Sequence, residues 1–297
     1  MSNQTLASFS GEHKLLLENR LEAFIEELQA PIHLKESMLY SLKAGGKRIR
    51  PLLLFATLEA FGIDTKKGLY PATAIEMIHT YSLIHDDLPS MDDDDLRRGK
   101  PTNHKVFGEA LAILAGDGLL TYSFQVLANM PEEHSDSKTK IALISLLATA
   151  AGAEGMVGGQ VADIEGEGKQ LTLEELEYIH LHKTGKLLVC SVMSAAIIAK
   201  ASGEQLQALE KFAQHLGMAF QIRDDILDVE GNQELIGKPL GSDIENSKST
   251  YPVLLTMAGA KEAMQKHFEA AKYHLQSTGL DTLILEEITD LVVLRES

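Results

Sequence analysis

The sequence has few of the residues that small secreted proteins and β-rich proteins depend on. Its single cysteine, Cys190, cannot form a disulfide within the chain. Tryptophan is absent and aromatic residues make up only 5% of the chain, so we expect packing through leucine, alanine and isoleucine. Alternating β-branched segments and Asn-Gly hairpin turns are also missing. These absences argue against a disulfide-stapled fold and against an all-β fold.

Basic residues are in deficit. The chain has 27 Lys and Arg against 43 Asp and Glu, a formal net charge of -16. That balance argues against nucleic acid as a partner, because binding to the phosphate backbone needs clustered basic residues. It does not exclude a small anionic substrate, since a few basic residues and metal ions can reverse the local field.

Signals for export or membrane insertion are also lacking. The opening segment, MSNQTLASFS, has neither the charged region nor the apolar region of a secretory signal. The longest apolar run, residues 141–161, contains Glu154 and four glycines, which makes it a poor membrane span. We therefore expect a cytoplasmic protein with no integral membrane segment.

Apolar residues recur at helical spacing along nearly the whole chain. The first stripe consists of Leu15, Leu16, Leu21, Phe24, Ile25 and Leu28. Further stripes cover residues 51–61, 69–85, 110–127, 141–164, 173–201, 206–229, 251–257, 262–275 and 280–294. No composition shift marks a domain boundary. We expect one all-α domain over residues 1–297, a single large helical bundle with a central cavity between its helices.

The breaks between stripes have turn chemistry. Residues 131–137 form a short polar segment, and Gly166 and Gly168 end one helical stripe. Thr172 and Glu175 have the spacing of a capping box at the start of the next helix. Residues 231–243 are the longest irregular stretch and are a candidate lid.

An acidic cluster lies near the end of one apolar helical stripe. Gln221, Asp224 and Asp228 are spaced i, i+3 and i+7, so they share one helix face, while Asp225 lies beside them. Apolar residues flank the cluster, and buried like charges are costly unless cations neutralise them. Carboxylate oxygens suit Mg²⁺, which often shares itself with substrate phosphates.

A second acidic cluster, far away in the sequence, follows another stripe. His85, Asp86 and Asp87 close a helix, and Pro89 interrupts it, which bends the chain back and brings Asp92 toward Asp86. Arg97, Arg98 and Lys100 come next. Acidic residues followed directly by basic residues are expected where metal ions and arginines bind opposite sides of a phosphate. The two clusters together predict a facing two-cluster magnesium site for a diphosphate.

A basic turn supplies a third constellation. Gly45 and Gly46 allow close backbone approach to a ligand, Lys47 and Arg50 add positive charge, and Pro51 suits the first turn of the helix that follows. Helix N-termini bind anions. Half of such turns are only loops, so this one gains weight from the predicted diphosphate.

Some basic residues are ambiguous by themselves. Residues 183–186, Lys-Thr-Gly-Lys, lack the upstream glycine spacing of a P-loop, and Lys183 on an apolar face needs an anionic partner. A lone helical histidine such as His79 is usually a core residue. Lys238 and Lys248 are generic unless the candidate lid closes over phosphate.

Taken in order, the motifs resemble those of the trans-prenyltransferases, the head-to-tail isoprenyl diphosphate synthases. The matching segments are GGKRIRP, HDDLPSMDDDDLRRGKPTNH, HKTGK, FQIRDDILD and KSTYP, and they span nearly the whole chain. Within that family the resemblance is closest to the bacterial-type farnesyl diphosphate synthases. It implies an all-α prenyltransferase that condenses isopentenyl diphosphate with dimethylallyl and geranyl diphosphate, and a homodimer.

The resemblance also implies roles for individual residues. The residues implied as ligands of three Mg²⁺ ions are Asp86, Asp92 and Asp224, supported by Asp87 and Asp228. The residues implied to bind the allylic diphosphate are Arg97, Lys183, Gln221, Lys238 and Lys248. The residues implied to bind isopentenyl diphosphate are Gly46, Lys47, Arg50, His79 and Arg98. Oxygen atoms of Thr184 and Gln221 would face the developing carbocation.

Product length is expected to depend on the residues below the first aspartate motif. Tyr81 precedes Asp86 by five residues, about 7.5 Å along a helix. The resemblance implies that an aromatic residue there blocks tail growth, whereas the neighbouring Ser82 is too small to block. If Tyr81 is ordinary core, longer products such as geranylgeranyl diphosphate are expected; geranyl diphosphate is the other alternative.

Three other functions remain as alternatives. Glu76 with His79, and Glu177 with His180, have the Glu-x-x-His spacing of ferritin-like di-iron bundles. A class I terpene cyclase uses related chemistry, but usually replaces the second aspartate motif. A non-catalytic synthase subunit usually loses one motif, and this chain has both.

Overall fold

The computed structural model describes residues 5–230 and 249–293. The first half of the chain forms α1 (Leu6–Glu27), α2 (Ile32–Leu42), α3 (Ile49–Ala60), a 3₁₀ turn (Thr65–Gly68), α4 (Leu69–Asp86), β1 (Leu96–Arg97), β2 (Lys100–Pro101), α5 (Asn103–Phe107) and α6 (Glu109–Ala128). The second half forms α7 (Ser137–Ala151), α8 (Met156–Gly166), α9 (Leu173–Ile179), a π-helical turn (His180–Gly185), α10 (Lys186–Ile198), α11 (Gly203–Glu230), α12 (Tyr251–Gln276) and α13 (Leu283–Val293). The predicted all-α class is confirmed.

Helix α5 and the 3₁₀ turn lie between the predicted stripes, and two further elements were not predicted either. Helix α2 buries Ser37, Met38 and Leu42, a face too short to stand out as a stripe. The antiparallel pair β1–β2 is joined by Arg98 and Gly99, both with positive φ, 54° and 73°. Positive φ at both central residues is what a tight hairpin turn needs, and arginine gives no hint of it.

Predicted stripes and observed helices differ at three breaks. The stripe over residues 141–164 is two helices, because the chain leaves helical geometry around Gly155, with φ -132° and ψ -126°. The stripe over residues 173–201 contains the π-helical turn. The two short stripes over residues 251–275 are one element, kinked where Thr256 has φ 69°. The capping box of Thr172 and Glu175 is present as predicted.

The chain divides into two compact units. The first unit comprises residues 1–55 and 64–144, and its core includes Phe9, Leu17 and Ile75, all at most 1% exposed. Apolar stripes of α1, α4 and α6 therefore account for much of its interior.

The second unit comprises residues 56–63 and 145–297. Its central helix is α11, which packs against α10 and α12 and buries Phe212, Leu216 and Ile222 completely. The prediction of one domain over residues 1–297 stays a prediction.

Three helical segments are long and apolar enough to cross a membrane by length and composition: Glu109–Ala128, Ser137–Gly166 and Leu173–Ile198. Part of each lies buried within the fold, so these segments are not evidence of membrane insertion. The absence of a membrane span stays a prediction.

Three histidines meet where α11 packs against α12. His215 Nδ1 lies 3.0 Å from His267 Nδ1, and the His215 ring stacks on His274. Burial, helped by these two histidines and by Lys211 and Lys266, lowers the pKa of His215 to about 4. Burial also lowers the pKa values of His267 and His274. The cluster is therefore neutral near pH 7.

This cluster predicts acid sensitivity of the fold. The unfolded chain takes up protons near the ordinary histidine pKa of 6.5, whereas the folded chain resists them. The free energy of unfolding should therefore fall as the pH drops from about 6.5 toward 4. Urea unfolding at several pH values checks this. The variant His215→Gln should show a shallower fall than the unsubstituted chain, and identical slopes would contradict the prediction.

Candidate active site

The first aspartate motif lies where α4 ends in the first unit. The backbone N–H of Asp92 donates to the carbonyl of Asp86 over 2.8 Å, so the chain does turn back after Pro89. Asp87 is only 3% exposed and accepts a hydrogen bond from Arg97 Nε over 2.7 Å. Asp86 is half-buried and Asp92 is exposed. The motif therefore combines carboxylates accessible to solvent with one buried carboxylate that orients an arginine.

The basic turn closes onto residues that follow the first motif. Arg98 donates to the carbonyl of Gly45, and a Cβ on Gly46 would lie 2.8 Å from the Arg98 guanidinium. Burial, together with Arg50, Arg98, Arg97 and Arg48, lowers the pKa of His79 well below its ordinary value. Predicted isopentenyl diphosphate ligands that are distant in sequence are thus brought together, with His79 neutral.

Arg48 has a structural role that the sequence did not reveal. It has φ 54° and is 5% exposed, and its guanidinium donates to Glu76 Oε1 and to the Leu42 carbonyl, each over 2.6 Å. This buried ion pair ties the start of α3 to α4 and α2. Neither partner is marked by periodicity, because the pairing depends on tertiary packing.

Below the first motif, Tyr81 is 6% exposed and its ring meets His85 edge to face, with centroids 5.7 Å apart. Burial and the charge of Asp86 raise the pKa of Tyr81 to about 12, so the phenol stays protonated. The Ser82 hydroxyl donates to the His79 carbonyl over 2.9 Å. Tyr81 therefore lies in the core of the first unit, on the helix that carries Asp86.

In the second unit, a cavity of about 140 Å³ collects several predicted site residues. Lys183 and Thr184 line it from the π-helical turn, and Gln221 lines it from α11. Lys183 Nζ donates to Asp163 Oδ2 over 2.5 Å, which supplies the anionic partner expected for a lysine on an apolar helix. Asp163 itself was not predicted as a site residue.

The second aspartate motif has one carboxylate that faces inward. Asp225 is 5% exposed, and its Oδ2 accepts from the Tyr251 backbone N–H over 2.9 Å and pairs with His180 Nε2 over 3.2 Å. The Tyr251 hydroxyl in turn donates to Glu177 Oε1 over 2.9 Å. Asp224 and Asp228, predicted as metal ligands, are half-buried on α11. Asp225 is therefore a connector between elements.

The donor sets suit Mg²⁺ chemically. Asp86, Asp92, Asp224 and Asp228 offer hard carboxylate oxygens with access to solvent, and Mg²⁺ prefers such oxygens and keeps several waters. A group of three ligand atoms within 4.8 Å of one another also occurs in the described part of the chain, at Asp93, Asp95 and His104. That group adjoins the first motif but shares no residue with the predicted ligand set. The predicted ligands stay predictions.

Lys238, Lys248 and the candidate lid over residues 231–243 lie outside the described residues. The remaining predicted site residues are placed in one unit or the other. Their roles in binding stay predictions.

The π-helical turn owes its position to a close backbone contact. Gly159 of α8 faces it, and a Cβ at Gly159 would overlap the backbone nitrogen of Lys183. Such turns are frequent at functional sites. The sequence shows Gly159 as part of an apolar run, with no sign of this contact.

Gly159→Ala should therefore destabilise the protein by about 1–3 kcal/mol, since the backbone must shift to admit the methyl group. Gly11→Ala is the matched control: a Cβ there meets nothing within 4 Å, so the exchange should stabilise α1 by about 0.5–1 kcal/mol. Urea unfolding of both variants checks the pair. Equal effects of the two exchanges would contradict the assigned packing.

Comparison with known proteins supports one family. The family model described as polyprenyl synthetase matches residues 31–281. The chain belongs to the polyprenyl synthetase family. The farnesyl diphosphate synthase of Geobacillus stearothermophilus is 59% identical over 296 residues, and that of Bacillus subtilis is 54% identical over 296 residues; all of each chain is covered. A geranyltransferase structure from Legionella pneumophila has a TM-score of 0.85 at 34% identity, covering 98% of this chain and 96% of that one.

A family relative with a longer-product name is less similar. The geranylgeranyl diphosphate synthase of Cyanophora paradoxa is 41% identical over 297 residues, covering 100% of this chain and 98% of that one. The resemblance inferred from the motifs is thus confirmed.

For a polyprenyl synthetase, the Glu-x-x-His pairs need another explanation than iron, and the contacts supply it. Glu76 is committed to Arg48, Glu177 to the Tyr251 hydroxyl, and His180 to Asp225. Three of the four residues that suggested a di-iron protein therefore take part in structural hydrogen bonds.

Proposed function

We propose that the chain condenses isopentenyl diphosphate head-to-tail with dimethylallyl and then geranyl diphosphate, giving (2E,6E)-farnesyl diphosphate. The observation that carries this is full-length similarity, at 59% identity, to a protein named farnesyl diphosphate synthase. The lower similarity to a geranylgeranyl diphosphate synthase favours the fifteen-carbon product over a longer one.

The reaction proceeds by ionisation, condensation and elimination. Asp86, Asp92 and Asp224, supported by Asp87 and Asp228, would hold three Mg²⁺ ions. When bound, these ions supply positive charge that stabilises the diphosphate as it leaves. The aspartates serve to fix that charge where negative charge develops on the leaving group.

The predicted substrate-binding residues fall into two sets, one for each substrate. Arg97, Lys183 and Gln221, with Lys238 and Lys248 from outside the described residues, hold the allylic diphosphate. Gly46, Lys47, Arg50, His79 and Arg98 hold isopentenyl diphosphate. Support for this assignment comes from the contacts that bring Gly46, His79 and Arg98 together in the first unit, and from the cavity that Lys183 and Gln221 share in the second. Arg97 lies in the first unit, where it pairs with Asp87.

The cation formed on ionisation needs nearby oxygen atoms and no water. Thr184 and Gln221, which line one cavity, would direct oxygen atoms toward it. Apolar walls exclude water that would quench it. The alkene of isopentenyl diphosphate attacks, and the proton then lost passes to the departing diphosphate.

The chain acts as a homodimer in the cytoplasm under this proposal. The bacterial relatives support the cellular setting, and the family supports the assembly.

A product-resolved assay tests the proposal. The purified chain is incubated with Mg²⁺, isopentenyl diphosphate and each allylic starter in turn, and the products are separated by chain length. Farnesyl diphosphate as main product supports it, whereas geranyl or geranylgeranyl diphosphate favours the alternatives. A hydrocarbon formed from geranyl diphosphate alone would identify a cyclase, and an inactive chain a non-catalytic subunit.

A further inference from the structure

Thr250, just before α12, has a buried side-chain hydroxyl that makes no hydrogen bond within the described part of the chain. The residue is 4% exposed, and its Oγ1 has no hydrogen-bond partner within residues 5–230 and 249–293. Burying a hydroxyl without a partner is costly, so native proteins seldom do it without a ligand or an ordered water. The unpaired hydroxyl therefore indicates that a ligand binds beside it.

The usual task of such a threonine is taken over by another side chain. Thr250 occupies the N-cap position of α12, where a threonine hydroxyl normally accepts from a backbone N–H of the first turn, but it makes no such bond. The carboxylate of Asp225 accepts from the Tyr251 N–H instead, and His180 holds that carboxylate from a second side. Asp225 thereby leaves the Thr250 hydroxyl available for another partner.

The surroundings of the hydroxyl indicate which kind of partner. Thr250 lines the cavity that Lys183, Thr184 and Gln221 also line. This wall offers the Gln221 amide, hydroxyl groups and the N-terminal end of α12, which favour an anion. The Lys183 ammonium is paired with Asp163 and the Asp225 carboxylate with His180, while Glu167 adds a further carboxylate to the lining. Diphosphate oxygens only accept hydrogen bonds, which matches a hydroxyl that is without an acceptor.

We propose that Thr250 is a further substrate-contacting residue, whose hydroxyl donates to an oxygen of a diphosphate bound in this cavity. Asp225 acts through it as a positioning residue, by fixing the start of α12. This inference rests on the proposed function for its substrate, and on the buried hydroxyl for its geometry.

Thr250→Val removes the hydroxyl and keeps the shape, whereas Thr250→Ser keeps the hydroxyl. In the valine variant, the KM for geranyl diphosphate and the Kd for inorganic diphosphate with Mg²⁺ should rise about 10- to 100-fold, the range for a hydrogen bond to a charged group. The serine variant should stay within a few-fold of the unsubstituted chain.

The melting temperature separates this role from a structural one. Without ligand, Thr250→Val should melt at the same temperature or higher, because it loses a buried hydroxyl that lacks a partner. Ser249→Ala is the neighbouring stability control: the Ser249 hydroxyl accepts from the Leu171 N–H and donates to the Lys169 carbonyl, so its loss should lower the melting temperature, unlike Thr250→Val.

Two results would overturn the inference: unchanged KM and Kd in Thr250→Val, or a lower melting temperature with equal losses of binding in the valine and serine variants. Failure of the proposed function is distinguishable from both. If the unsubstituted chain forms no farnesyl diphosphate, that function is wrong, while the diphosphate Kd values still decide the role of Thr250.

Discussion

Asp224→Asn is expected to lower kcat for farnesyl diphosphate formation about 100- to 1000-fold, the loss seen when one group that stabilises developing charge is removed. Asparagine keeps the shape of the side chain and loses the negative charge that would hold Mg²⁺. Because Asp224 is half-buried and not the buried carboxylate of its motif, the fold should survive the exchange. Raising the Mg²⁺ concentration should recover part of the activity, as measured by steady-state kinetics.

Two matched exchanges accompany it. Asp281→Asn changes an exposed aspartate in the same unit and should leave kcat within a factor of about two. Asp225→Asn alters a carboxylate bonded to Tyr251 and His180, so it should lower the melting temperature as well as activity. Undiminished kcat in Asp224→Asn at ordinary Mg²⁺ concentrations would remove Asp224 from the ligand set.

Tyr81→Ala is expected to lengthen the product from fifteen carbons to twenty or more. The phenol lies in the core on α4, about 7.5 Å along the helix from Asp86 by the helical rise. The resemblance to the trans-prenyltransferases implies that the growing chain ends there, so removal of the ring should give it room. Loss of a buried aromatic ring should also lower the free energy of unfolding by about 3–5 kcal/mol, so the assay should be run at low temperature. Product chromatography gives the readout.

Two variants isolate the steric cause. Tyr81→Phe keeps the ring and should keep the fifteen-carbon product, and Ser82→Ala removes only a hydroxyl bonded to the His79 carbonyl. A folded Tyr81→Ala variant that still stops at fifteen carbons would show that the phenol is ordinary core.

Local patterns account for what the sequence predicted correctly. The stripe over residues 69–85, the capping box of Thr172 and Glu175, and the return of the chain toward Asp86 after Pro89 all depend on neighbours within a few residues. The i, i+3, i+7 spacing likewise placed Gln221, Asp224 and Asp228 on one helix.

Contacts between distant residues account for most of what it missed. The pairs Arg48 and Glu76, Lys183 and Asp163, and Asp225 and His180 are hydrogen-bonded, at sequence separations of 28, 20 and 45 residues. Periodicity carries no information on such pairs, because they are set by how helices pack. The π-helical turn escaped notice for the same reason, since its shape accompanies the packing of Gly159 against it.

The most direct test of the central claim is the yield of inorganic diphosphate per isopentenyl unit consumed, with and without Mg²⁺. A condensing prenyltransferase releases one diphosphate for each isopentenyl diphosphate incorporated, and almost none when isopentenyl diphosphate or Mg²⁺ is omitted. Diphosphate release from geranyl diphosphate alone, or condensation that persists after chelation of the metal, would contradict the account.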